Sequence, residues 1–335
     1  MNFQNIFIEE SILKHTQAQK IMNSFSHLKA YPISKVEDYF GKVKKPYLHK
    51  RDSLNLFIGE KKGQLVKKAP PAYAGDKGEH FYFIHAYNCI YECEYCYLQG
   101  YFHSPDLVIF INHNEITQEM KNVVEKSQFS QNIWFHAGEF SDSLALSHLT
   151  GEIPHYFKIM AELPQAKLEL RTKSNNIREL LKLNPLPNVI TSFSLSPEKI
   201  CKEYDHKTPK LSLRLNALSQ LSHRGFPLAV HFDPIIDSPT VEEDYIQLIS
   251  DLKKSLGESS LEYISLGVVR FPQDIFRQVK KNYPQSKILA APLEVTPEDQ
   301  IVRLPSNLRK ILLEKIQQLI LDSKIKVNHI YFSME

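Results

Sequence analysis

From residue 79 onward the apolar positions fall into short runs separated by longer amphipathic stretches. The runs cover residues 80–85, 107–111, 132–137, 167–172, 188–195, 227–232 and 263–269, with apolar, β-branched and aromatic side chains predominating. Such runs predict strands buried on both faces. Residues 115–127, 142–162, 209–224 and 240–255 carry apolar positions at helical spacing; Leu213, Ala217, Leu218 and Leu221 are expected to share one helical face. Strands alternating with helices predict parallel βαβ units. Six or so units predict an open, partial (βα)6 barrel of the TIM-like type rather than a closed eight-fold one. The pattern leaves open whether 107–111 joins that sheet. Residues 296–322 predict a helix starting after Thr296-Pro297-Glu298, followed by a strand over 327–332.

Residues 1–78 read differently and predict a basic N-terminal α+β extension, with the barrel and its C-terminal helix and strand over 79–335. The extension has an apolar start (Phe3, Ile6, Phe7, Ile8), a helical stretch around 11–25 and a basic tract. The tract holds Lys42, Lys44, Lys45, Lys50, Arg51, Lys61, Lys62, Lys67 and Lys68, opposed by Asp52 and Glu60. It reads either as a solvated face or as a patch facing phosphates. Ala69-Pro70-Pro71 and Gly75–Gly78 mark a loop.

Composition adds bounds rather than direction. The 335 residues are 42% hydrophobic and 24% charged, as in an ordinary globular protein. A net charge of +3 is too small to imply a nucleic-acid partner alone. No apolar run approaches the roughly 20 residues that span a bilayer, so no membrane partner is expected. The opening MNFQNIFIEE has no basic n-region or long apolar h-region, so no signal peptide is expected. Four cysteines fit a reducing cytoplasm, the expected location.

Three of those cysteines fall within one short segment, Cys89-Ile-Tyr-Glu-Cys93-Glu-Tyr-Cys96-Tyr97-Leu-Gln99. A [4Fe-4S] cluster held by cysteine alone takes four thiolates. Three leave one iron open to bind a small molecule. Two other readings compete: a closed Cys3His zinc site using His85 or His103, and a trio of buried cysteines packing as small hydrophobes. Zinc sites usually pair CxxC with a second CxxC or HxxxH downstream, and the chain has neither. In parallel α/β folds chemistry gathers at the C-terminal ends of strands. Those ends carry the cysteine loop, Gly138–Asp142, Arg171–Ser174, Ser194–Ser196, His231–Pro234 and Arg270. That convergence favours an enzyme over a zinc-stapled nucleic-acid-binding module, the reading from a different class. His85, His136 and His231 each read as hydrogen-bonded core histidines, Cys201 as structural, and Asp233 as a substrate contact or a cap.

The CxxxCxxC spacing matches the signature of radical S-adenosylmethionine (SAM) enzymes. With Tyr95, Tyr97 and the following Leu-Gln, the segment resembles the spore photoproduct lyase family. Ser141-Asp142 with His148-Leu149-Thr150, Thr172-Lys173, Phe193-Ser194-Leu195 and Arg214 resemble it as well. The resemblance implies a [4Fe-4S] cluster on Cys89, Cys93 and Cys96, and SAM contacts from Ser141, Lys173 and Ser194. It implies Tyr95 and Tyr97 beside the adenosyl group with a part in hydrogen-atom transfer, the alternative being ring packing around the cluster. It further implies cleavage of a methylene-bridged thymine dimer in DNA through a 5′-deoxyadenosyl radical, with a reductant such as flavodoxin or ferredoxin. Two departures stand against it. Where the family has its hydrogen-donor cysteine this chain has Glu139, and Ala137-Gly138-Glu139 resembles the Gly-Gly-Glu element that holds the SAM amino group. Residues 289–310 also predict no glycine- and aromatic-rich hairpin of the kind that enters the lesion. A radical SAM reaction on another substrate, such as RNA, a modified base or a small molecule, is therefore the alternative.

Overall fold

The computed structural model describes residues 3–41, 53–70, 78–127 and 132–333. Lys42, Lys44, Lys45, Lys50 and Arg51 of the basic tract lie outside them, as do residues 71–77 of the proline- and glycine-marked loop. The chain begins β1 (Phe3–Glu9), α1 (Thr16–Ser24), β2 (Lys29–Ile33), β3 (Leu54–Gly59), β4 (Val66–Lys68), β5 (Glu79–Phe83), β6 (Ala86–Tyr87) and β7 (Glu92–Cys93). It continues α2 (Leu98–Tyr101), β8 (Leu107–Phe110), α3 (His113–Lys126), β9 (Ile133–Ala137), α4 (Ser147–Thr150), α5 (Ile153–Glu162), β10 (Ala166–Thr172) and β11 (Val189–Ser194). Then come α6 (Glu198–Tyr204), β12 (Asp205–His206), α7 (Leu211–His223), β13 (Leu228–Ile235), α8 (Val241–Leu256) and β14 (Ile264–Val268). The last elements are β15 (Arg270–Pro272), α9 (Gln273–Asn282), β16 (Glu294–Val295), β17 (Ile301–Arg303), α10 (Ser306–Asp322) and β18 (Ile330–Phe332). Contacts group the chain into two compact units. One holds Met1–Ile90, Tyr101–Arg171 and Asn176–Val189; the other holds Tyr91–Gly100, Thr172–Asn175 and Ile190–Glu335.

The first unit has two sheets. In one, β2, β1, β3 and β8 run parallel and β6 closes the edge antiparallel. Ile6, Ile8, Leu56, Ile58, Leu107 and Ile109 form its core against Ala18 and Ile21 of α1. The run 107–111, left open by the sequence, thus completes the N-terminal sheet. In the other sheet β5, β9 and β10 are parallel and β4 pairs antiparallel with β5. Registers place Phe81, Phe135 and Leu168 in one cross-strand row, while Tyr82, His136 and Glu169 share the next. Polar side chains on that strand face pair with one another: His80 Nδ1, two residues before Tyr82 on β5, lies 3.0 Å from His136 Nε2, and His136 Nδ1 lies 2.5 Å from Glu169 Oε2. Arg171 joins them against the same carboxylate at 3.4 Å. Pairing of this kind is what allows ionisable side chains on a buried strand face.

The second unit continues the strand–helix alternation with β11, β13, β14 and β18, all parallel. Phe193, Val230, Ile264 and Ile330 align in one cross-strand row; Ser194, His231, Ser265 and Tyr331 align in the next. α7 packs on α8 and α8 on α10.

Three expectations need correction. The helix expected over 142–162 is two helices, α4 and α5, parted at Gly151, whose φ of +73° ends α4 in the left-handed region. The C-terminal helix begins at Ser306, because Ile301–Arg303 is drawn into a strand before it. That strand pairs antiparallel with β16 and with β15, so a hairpin does exist over 294–303. It lacks glycine and aromatic residues, which is why the pattern did not announce it. On α7, Ala217, Leu218 and Leu221 are buried as expected, but Leu213 is 45% exposed. Leu211, Arg214 and Leu215 complete the buried stripe, with a charged residue where the pattern expected Leu213.

Candidate active site

In the first unit, buried Asn88 sits just before Cys89 at a φ of +64°. Its Nδ2 donates to the Ser104 and Asp106 carbonyls at 2.7 Å each, fixing where the cysteine loop starts. At the end of β9 the chain turns sharply through Gly138. A Cβ there would lie 2.6 Å from Ser143 Oγ, and φ is +77°, so only glycine fits. Ser141 N donates to the Gly138 carbonyl at 2.9 Å, and Asp142 Oδ1 accepts from Leu144 N and Ala145 N at 3.0 and 2.9 Å. Glu139 and Ser141 are thus carried on a rigid turn, and Asp142 is spent on holding it.

In the second unit, β7 and β12 form a short antiparallel ladder that sets Cys93 opposite Asp205 and Glu92 opposite His206. Glu94 N donates to the Tyr204 carbonyl at 2.9 Å, and His206 Nε2 lies 2.7 Å from Glu94 Oε1. Gln99, fully buried, donates from its amide to the carbonyls of Cys93 at 3.2 Å and Glu94 at 2.8 Å, and its Oε1 accepts from Asn282. The loop carrying Cys93, Tyr95 and Cys96 is therefore bonded from both sides.

Beneath it lies a buried ionic array. The Tyr95 hydroxyl donates to Asp205 Oδ1 and accepts from Lys173 Nζ at 2.6 Å. Lys173 Nζ lies 3.4 Å from the same carboxylate oxygen and 4.9 Å above the Tyr95 ring centroid. Arg214 NH2 donates to Asp205 Oδ2 at 3.0 Å and to Thr208 Oγ1 at 2.5 Å; its other nitrogens reach the Pro209 and Ser194 carbonyls at 3.0 and 3.2 Å. Burial alone would raise the Asp205 carboxyl, but the Lys173 and then the Arg214 charges outweigh it and hold it below the usual carboxylate range. Burial likewise works against the Lys173 ammonium, and Asp205 more than restores it. Burial, then the Asp205 charge, pushes the Tyr95 phenol well above its ordinary range.

The array joins two of the expected SAM-site residues, Tyr95 and Lys173, and touches the backbone of a third, Ser194. Tyr97 is 37% exposed. Cys201 is buried with Sγ 3.2 Å from the Ser196 carbonyl, in keeping with a structural part. Asp233 pairs with Arg270 through two 3.0 Å bonds. Asp205 escaped the sequence reading. It lies in β12, a two-residue strand between α6 and α7 too short to leave a pattern, and the one signal was Arg214 in the next helix.

The donor set suits an iron-sulfur cluster. Three cysteines supply soft thiolate ligands. The array holds two cations against one carboxylate, and a buried surplus of positive charge calls for an anion nearby. A [4Fe-4S] cluster on three thiolates carries one net negative charge in its oxidised form. Among the described residues no three His, Cys, Asp or Glu side chains form a metal site. Burial pushes the Cys96 thiol up to about 11, moderated by the Leu98 backbone N–H and Lys173, so metal binding has to release its proton.

Parallel strand–helix units carrying a CxxxCxxC loop, with a part-buried lysine after a strand, fit a radical SAM enzyme, and the relatives that follow make it one of the lyase type. The chain belongs to the spore photoproduct lyase family, whose model matches residues 2–294. Spore photoproduct lyase of Bacillus subtilis (strain 168) is 24% identical over 293 residues, covering 85% of this chain and 83% of that one. The enzyme of that name from Geobacillus sp. (strain Y412MC61) is 22% identical over 206 residues, covering 61% and 60%. A solved spore photoproduct lyase with bound SAM and dinucleoside spore photoproduct superposes with a TM-score of 0.83 at 17% identity, covering 99% of this chain and all of the other. That likeness establishes the shared fold. Among the described residues no helix is long and apolar enough to cross a membrane.

Proposed function

We propose that this chain reductively cleaves SAM on a [4Fe-4S] cluster held by Cys89, Cys93 and Cys96, and uses the radical to reopen a thymine-dimer lesion in DNA. The observation that carries the reading is the buried Lys173–Tyr95–Asp205–Arg214 array set against the Cys93 strand, with its surplus positive charge. Cys89, Cys93 and Cys96 would hold the cluster, which when bound would supply the one-electron chemistry for reductive cleavage of SAM, the electron coming from a reductant such as flavodoxin or ferredoxin. The chain's own residues then have defined tasks. Lys173 faces the SAM carboxylate or a ribose hydroxyl, with Ser141 and Ser194 as short-range partners. Glu139 accepts from the SAM ammonium, a charge-assisted contact suited to an anion on a rigid turn. Tyr95, its hydroxyl bonded to Asp205 and Lys173, orients the lysine, and exposed Tyr97 lines the adenosyl side. Fixing SAM before reduction selects which hydrogen is removed.

A second reading rests on Glu139 and the hairpin. A carboxylate in place of a donor thiol does not return a hydrogen atom to a substrate radical. The 294–303 hairpin exposes Glu294, Glu298 and Asp299 where a wedge into a polyanion would carry neutral or basic groups. Both favour a radical reaction on a different, less anionic substrate.

The test is anaerobic. The protein is reconstituted with iron and sulfide, then given SAM, dithionite and a DNA oligomer carrying the methylene-bridged thymine dimer. Restored thymine together with 5′-deoxyadenosine supports lesion repair. 5′-Deoxyadenosine alone supports the second reading, and neither product sinks both.

A further inference from the structure

We infer that Asp205 is a positioning residue for SAM: it fixes in advance the Lys173 ammonium, the Cys93 strand and the end of the Ser194 strand. The inference rests on the SAM-cleaving reading above. Asp205 is 3% exposed, and each of its carboxylate oxygens has its own work. Oδ1 takes the Tyr95 hydroxyl and Lys173, and Oδ2 takes Arg214. Its backbone pairs with Cys93. Through Arg214, which also donates to the Ser194 carbonyl, the same carboxylate steadies the end of β11. Three segments distant in sequence, around 93, 173 and 194, thus meet at one side chain.

The energetic logic is preorganisation. A lysine side chain has large rotamer freedom, which an unguided Lys173 would lose on binding SAM. Here the side chain is already held by the Tyr95 hydroxyl, the Tyr95 ring and Asp205, while 15% of its surface stays accessible to a ligand. Arg214 is held by four acceptors and cannot turn away. Without the carboxylate, two buried cations would face each other, and the lysine would be pushed to retreat or lose its proton.

Asp205→Asn keeps the shape and the strand pairing and removes the charge. We would measure SAM binding by anaerobic equilibrium dialysis without reductant, with iron and sulfide content and a melting curve recorded on the same samples. Wild-type iron content with SAM affinity reduced roughly ten- to hundredfold is the expected result, and Asp205→Glu should recover part of the loss. Unchanged SAM affinity in Asp205→Asn overturns the inference. So does loss of iron or of cooperative melting in both variants, which would make the carboxylate a matter of folding alone. Wild-type protein that takes up iron yet binds no SAM would overturn the functional reading and this inference with it.

Discussion

Glu152 should keep its proton in the folded protein until the pH nears about 7. It precedes α5, is 1% exposed, and is bonded to the Thr150 hydroxyl. Burial raises its carboxyl from 4.5 to about 7, against the Thr150 hydroxyl and its own backbone N–H, which favour the anion. Protonation rearranges the hydrogen bonds. Thr150 Oγ1 also lies 3.0 Å from the Leu146 carbonyl, and a hydroxyl has one proton to give. If Thr150 donates to Leu146, Glu152 must be the donor to Thr150, which requires it protonated.

A raised acid pKa means the folded state binds a proton that the unfolded state releases. Stability is therefore full below about 4.5, falls by about 1.4 kcal/mol per pH unit as pH rises, and levels off above about 7, a total of roughly 3 kcal/mol. His85 and His113 act in the opposite sense. Burial lowers them to about 4 and about 3, so they cost stability as pH falls below 6.5. Wild-type stability alone would mix these effects, and the difference between wild type and Glu152→Gln separates them. Glutamine can donate to Thr150 as the protonated acid does. Urea titrations at pH 4.5, 5.5, 6.5 and 7.5 should show the variant matching wild type at the lowest pH and exceeding it by roughly 2–3 kcal/mol at the highest. A constant offset across that range would refute the reasoning, because it would mean Glu152 ionises alike in both states.

Other perturbations follow from the same geometry. Cys93→Ala should abolish iron uptake and SAM cleavage together, and retained cleavage would remove the cluster assignment. Gly138→Ala meets Ser143 Oγ at 2.6 Å with φ at +77°, so it should cost about 1–3 kcal/mol in urea titration. By disturbing the turn under Glu139 it should also weaken SAM binding; wild-type behaviour in both would show the turn to be pliable. Gly267→Ala places a methyl 2.9 Å from both Arg270 NH1 and Asp233 Oδ1. It should loosen the strand that roots the 294–303 hairpin and speed tryptic cleavage at Arg303, and an unchanged digestion pattern would count against that link.

The legible parts of this chain were those where one physical rule acted alone. Strands such as Ile133–Ala137 and Leu228–Ile235 read correctly because apolar runs of that length have little else to be. Reading failed where an ionic contact distant in sequence overrode the local pattern. Leu213 was expected on the apolar face of α7 and is exposed, while Arg214 lies inside, where Asp205 answers its charge and three further acceptors take its other N–H groups. The β16–β17 hairpin was hidden for a related reason. Arg303 bonds Thr296 Oγ1 at 3.0 Å and Asp299 Oδ2 at 2.8 Å, so polar side chains close the turn that glycine or aromatic residues would have signalled. The membership of 107–111 in the first sheet could not be read at all, since pairing partners are not written in a strand's own sequence.

Charge balance links these observations to the chemistry. Two cations beside one buried carboxylate make a poor structural device, since a single arginine–aspartate pair would satisfy Asp205 and an apolar residue at 173 would avoid the partial desolvation of an ammonium. The second cation makes sense if the site must receive an anion later. Two candidates suit that place: the thiolate cluster on the Cys93 loop and the carboxylate of SAM. Replacing Lys173 by methionine should then separate stability from function. The apolar side chain removes a buried charge while Arg214 still pairs Asp205, so the cluster-free protein should melt no lower than wild type. SAM binding by the reconstituted protein should fall by at least tenfold, the loss of one charge-assisted contact. A variant that melts several degrees lower and binds SAM normally would reverse the assignment and make Lys173 a structural partner of Asp205.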